Sequence, residues 1–124
     1  MPHDAKSILT EARALIADPE HWTQESLAIQ DTGAETTPTS EFAYAWCALG
    51  ALQRVSDDDD DNTPRVSAAD MLADAASQIL NGRNCVTKGN PIVQLNDDEH
   101  GVFDTPEETH AAVIRAFDLA ISAA

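Results

Sequence analysis

The sequence predicts a mainly α, compact single domain of about four helices joined by short extended connections. Three observations carry that expectation. Apolar residues recur at three- and four-residue steps near both ends of the chain. Helix start and stop signals flank those stretches. The apolar fraction, 43%, is an ordinary globular value built largely of alanine, with only Trp22, Phe42, Tyr44, Trp46, Phe103 and Phe117 as aromatics. A core of small aliphatic side chains suits closely packed helices, and 124 residues lie within the usual range of one domain.

The first helix is expected from Asp4 to Ala17. Ile8, Ala12, Leu15 and Ile16 share a face, Asp4 can cap it, and Asp18-Pro19 ends it because proline cannot extend the hydrogen-bond ladder. Between Trp22 and Gln30, Leu27 and Ile29 alternate with polar neighbours, which fits a short strand or extended piece. A loop rich in Thr, Gly and Pro follows to Thr39. A second helix is expected to start at Thr39 or Ser40, with Glu41 in its first turn. Phe42, Trp46, Leu49 and Gln53 would form one stripe, and the small residues Ala43, Cys47, Gly50 and Ala51 another. Gly50 inside a helix costs about 1 kcal/mol relative to alanine, which implies close approach of another element.

An acidic loop at about 56–66 includes the run Asp57 to Asp61. Ser67 and Asp70 then open a third helix to about Leu80, stopped by Asn81-Gly82. Pro91-Ile92-Val93-Gln94-Leu95 is a short apolar piece of either type. The last helix has Thr105 as cap, Pro106 at its first position and Glu108 completing a capping box, with Val113, Phe117, Ala120 and Ile121 buried.

Three stretches occur in an order and spacing that carry a resemblance: Trp46-Cys47-Ala48-Leu49-Gly50-Ala51-Leu52, Leu95-Asn96-Asp97-Asp98, and Thr105-Pro106-Glu107-Glu108 running into an apolar helix. Together they resemble a bacterial and phage family, domain of unknown function 6197. The five-aspartate loop and the His100-Gly101-Val102-Phe103 connection depart from its pattern. The resemblance implies a compact helical domain and brings no activity, cofactor or catalytic residue with it.

Charge bounds the partners. Twenty-two acidic residues against 7 basic ones give a formal −15, which repels nucleic acid and anionic membranes. Basic proteins or divalent cations are the charged partners that remain. No apolar run is long enough for a membrane span, and the N-terminus lacks the pattern of a signal peptide, so a cytoplasmic protein is expected.

Chemistry-bearing residues are few. Cys47 invites a nucleophile reading, with His100 or His110 as base and Asn96 or Asp97 to orient it. Placed two turns into a helix among small residues, it reads instead as a packed, unreactive thiol, while Cys85 lies in a polar loop with Arg83 and Lys88. No histidine pair has zinc-ligand spacing, and His110 shares its helix with Val113, Ile114 and Phe117, which suits a buried, hydrogen-bonded ring. The segment Asn96 to Glu107 has partial calcium-loop spacing. Asn96, Asp98, His100, Asp104 and Glu107 fall at ligand positions and Gly101 at the glycine position, but Asn96 and His100 are poor substitutes for the usual oxygens. A turn plus a capped helix explains the same residues. Phosphate-binding glycine loops and nucleotide fingerprints are absent. The leading expectation is a non-enzymatic accessory or interaction protein that binds a protein partner, in its narrower form a basic one. The alternative is a small enzyme or metal-binding protein using Cys47 with Asn96, Asp97 and a histidine.

Overall fold

The structure, a computed structural model, describes residues 4–57, 63–82, 90–99 and 101–124. Cys85 and His100 lie outside the described residues, as do Asp58 to Asp61. The described chain is mainly helical, with one small sheet.

Helix α1, Ala5–Ile16, begins where its signals place it. The Asp4 carboxylate accepts the Ser7 N–H at 2.8 Å and the Ser7 hydroxyl accepts the Asp4 N–H, a reciprocal cap. Ile8, Leu9, Ala12 and Ile16 are buried. Asp18 then caps a single 3-10 turn, Pro19–His21.

Three two-residue strands follow: β1 (Ala28–Ile29), β2 (Glu35–Thr36) and β3 (Ala45–Trp46). β1 is central and antiparallel to both neighbours, with Ala28 opposite Thr36 and Trp46. The extended reading of 22–30 therefore holds.

The second helix departs from expectation. Helix α2 is Ala48–Ser56, and residues 39–47 lie outside it. Tertiary bonds override the helical spacing there. The Tyr44 N–H donates to the Ile29 carbonyl, the Trp46 indole N–H to the Pro38 carbonyl at 2.9 Å, and Arg54 donates to the Ser40 carbonyl while lying 5.6 Å from the Trp46 ring centroid. Phe42, expected on a helical stripe, is 66% exposed. Cys47 is consequently the residue that caps α2, not one two turns inside it.

Helix α3, Thr63–Asn81, starts four residues ahead of Ser67, within the expected acidic loop, because Pro64 occupies a first-turn position where its missing N–H costs nothing. The piece 91–95 is helical: α4, Pro91–Asn96, is capped by Asn90, whose side chain accepts the Ile92 N–H. Helix α5, Pro106–Ala123, has the expected Thr105 cap, the hydroxyl accepting the Glu108 N–H at 3.2 Å. Glu108 does not close the box. Its carboxylate accepts the Asp104 N–H, one residue before the cap.

Helices α1, α3 and α5 pack around Phe117, with Leu72, Leu80, Leu95 and Val113 fully buried, while α2 packs mainly on α1 and α4 mainly on α3. An Arg13–Asp118 pair joins α1 to α5 at the surface, where such pairs contribute about 0–1 kcal/mol. The Thr105 cap is worth more. Thr105→Ala should lower stability by about 1 kcal/mol, read as a melting temperature a few degrees lower.

Candidate functional site

The last residue of α4 brings distant parts of the chain together. Asn96 is 1% exposed, yet every polar atom of its side chain has a partner. Its Oδ1 accepts the Trp22 indole N–H at 2.7 Å and the Ala48 N–H at 3.0 Å. Its Nδ2 donates to the Thr23 carbonyl and to the Asp97 carboxylate, each at 3.0 Å. Its own carbonyl accepts from the Gln24 side chain. Asp97 extends the cluster: Oδ1 also accepts the Glu25 N–H at 2.8 Å, holding Glu25 at a φ of 69°. A non-glycine residue there needs such an external tie, because the left-handed conformation costs about 1–2 kcal/mol.

Cys47 completes the arrangement at the start of α2. Its sulfur accepts the Gly50 N–H at 3.3 Å, and its own N–H donates to the Leu27 carbonyl at 3.2 Å. Two of the free N–H groups at the helix start are thus taken by different segments, Ala48 by Asn96 and Gly50 by Cys47. A helix N-terminus favours thiolate, but Cys47 is 7% exposed. Burial pushes its thiol pKa up, and the Asp97 charge adds to that, against the lowering from the backbone N–H groups. The thiol stays protonated at neutral pH.

This shift has a measurable sign. The folded state holds the Cys47 proton more tightly than the unfolded state does. The associated stability is complete below the ordinary thiol range and is lost as pH rises through and above it. Unfolding free energy should therefore fall in mild alkali more steeply in the native sequence than in Cys47→Ser, which retains a capping oxygen and does not titrate there. Parallel curves for the two chains would contradict the burial of Cys47.

The structure brings Cys47, Asn96 and Asp97 together, as the nucleophile reading requires, but among the described residues it places no histidine beside them. His110 is buried, with Nε2 donating to the Ile16 carbonyl at 2.7 Å and its ring edge-on to Trp22 at 5.3 Å. It lines a separate groove with Pro19, Thr23 and Glu107. His110 thus caps the end of α1 and secures Trp22.

The calcium candidates among the described residues, Asn96, Asp98, Asp104 and Glu107, are placed differently from a coordination loop. Asp98 spends both oxygens on the N–H groups of Val102 and Phe103, at 2.8 and 3.2 Å. Asn96 faces inward, and Asp104 and Glu107 are exposed around the start of α5. Among the described residues no three His, Cys, Asp or Glu side chains are grouped to hold a metal ion. Calcium and chelator should accordingly leave the Thr105→Ala deficit unchanged. A deficit erased by calcium would restore the coordination reading.

Beside Cys47 lies a slot of about 130 Å³ between the approach to β1, the first turn of α2 and α4. Among the described residues Leu27, Leu49, Ile92 and Val93 supply its apolar walls, Cys47, Ser26 and Asn96 also border it, and Glu25 and Asp97 are its charged residues. Sequence reasoning named Cys47, Asn96 and Asp97 but missed Trp22, Thr23 and Gln24. Their contacts cross more than 70 residues, with no local signature.

These features define a class: a small helical domain with a three-stranded sheet, tied at one end by a buried asparagine. The chain belongs to a family of unknown function (DUF6197), whose model matches residues 1–123. Neither the curated proteins nor the solved structures give a match. Among the described residues no helix is long and apolar enough to cross a membrane.

Proposed function

We propose that this chain is a non-enzymatic interaction protein that binds a basic partner protein in the bacterial cytoplasm, including that of phage-infected cells. The observation that carries the reading is the inward use of the Cys47–Asn96–Asp97 cluster. Asn96 has no polar side-chain atom left for a substrate, the Asp97 Oδ1 is committed to Glu25 and Asn96, and among the described residues no histidine lines the adjoining slot. What the molecule offers outward is a formal charge of −15, which steers a cationic partner by long-range attraction.

Crosslinking of the tagged full-length chain in its native host, followed by mass mapping, tests this. The expected result is a basic partner joined through carboxylate side chains of this chain, with association that weakens as salt rises. A salt-insensitive complex, or no partner above background, would overturn the reading. One observation favours a second reading, a thiol enzyme: Cys47 stands at a helix start and borders a cavity. That reading requires rapid alkylation of native Cys47 at neutral pH, whereas the protonated, buried thiol should react slowly.

A further inference from the structure

We propose that the slot beside Cys47 seats one aliphatic side chain from a lysine- or arginine-flanked segment of the partner. This inference rests on the interaction reading above and assigns it a place. The slot's volume, about 130 Å³, is close to that of the roughly 150 Å³ apolar cavities that admit a benzene-sized group. The surface it exposes is mostly apolar, supplied by Leu27, Leu49, Ile92 and Val93, so an aliphatic group gains by leaving water there, whereas a charged head is better placed beside Glu25 and Asp97. Leu27 is 40% exposed, so part of the apolar wall already faces solvent.

Two hydrogen bonds also tie the slot's walls to one another. The Leu27 carbonyl is tied to the Cys47 N–H, and the backbone of Glu25 is tied to Asp97. A preformed site avoids the cost of ordering its walls at the moment of binding. Charge selects the occupant. Glu25 and Asp97 line the slot, among the described residues no lysine or arginine does, and Glu25 is exposed. A second copy of this chain would bring another −15 to the same surface, so self-association is disfavoured. An apolar side chain with cationic neighbours satisfies both the walls and the rim.

Calorimetry with the full chain and two synthetic lysine-rich pentapeptides of equal charge tests the assignment. One peptide has leucine at its centre and the other glycine. The leucine peptide should bind about tenfold more tightly. It should also slow modification of Cys47 by methyl methanethiosulfonate, a thiol reagent small enough for the slot. Val93→Trp, which fills the slot, should abolish the preference without abolishing the electrostatic binding. Leu27→Ser, at an exposed wall position, should reduce it. Equal affinity for the two peptides, with binding retained, would overturn the slot while leaving the basic-partner reading in place. Failure of both peptides to bind would overturn both. A glutamate-flanked leucine peptide that binds as tightly would overturn the charge selection.

Discussion

Replacing Asn96 by alanine should lower the unfolding free energy by about 3–5 kcal/mol, the largest loss expected of any single polar residue described. The Ala48 N–H and the Trp22 indole N–H lose their common acceptor, and the Thr23 carbonyl and Asp97 lose a donor. Each buried group left without a partner costs about 1–3 kcal/mol, and the Ala48 N–H lies in the buried start of α2. The effect would appear in urea titrations as a lower midpoint at an unchanged slope. Asn96→Asp separates hydrogen bonding from shape. It keeps an acceptor for Trp22 and Ala48 but points a second acceptor at the Thr23 carbonyl and the Asp97 carboxylate. Burial and the neighbouring charge would raise the new carboxyl's pKa in the folded state. The folded form then binds the extra proton, so this variant should regain stability relative to the native sequence as pH falls toward the carboxylate range. An alanine variant within about 1 kcal/mol of the native chain would mean that Asn96 does not tie these segments together.

Local chemistry made part of this fold legible. Asp4 and Thr105 are side-chain caps whose partners lie three residues away, so α1 and α5 begin where the sequence places them. The start of α2 was not legible, because its cap is a cysteine and the asparagine that completes it is 48 residues distant. Trp46 has a spacing that suits a helix, yet its indole bond to Pro38 and its pairing opposite Ala28 require extended backbone. Propensity yields to such contacts when an aromatic ring must be buried. The same limit applies to the candidate site. Cys47, Asn96 and Asp97 are polar or reactive residue types and attract notice on that ground. Leu27, Ile92 and Val93 are ordinary apolar residues, and only their placement around one slot gives them a role.

Gly50 joins the fold to the slot beside Cys47, because its need for a close neighbour was legible in the sequence and the neighbour, Leu27, was not. In an exposed helix, Gly→Ala is stabilising by about 1 kcal/mol. Here the sign should reverse. A Cβ at position 50 would stand 1.9 Å from the Leu27 carbonyl oxygen and 2.9 Å from its carbon, well inside contact distance. That carbonyl is not free to retreat, since it accepts the Cys47 N–H and its chain continues into β1, the central strand of the sheet. Either α2 or the strand must shift, breaking the Cys47 to Leu27 bond and opening the wall of the slot. Overpacking of this kind costs about 1–3 kcal/mol, and the lost helix propensity gain brings the departure from an exposed site to about 2–4 kcal/mol. Gly50→Leu should cost more. Because Cys47 is held by the same contact, Gly50→Ala should also quicken alkylation of its thiol well below the melting temperature, which a purely global loss of stability would not do. A melting temperature equal to or above that of the native chain would mean that Leu27 does not lie against α2, and the slot beside Cys47 would lose the wall that defines it.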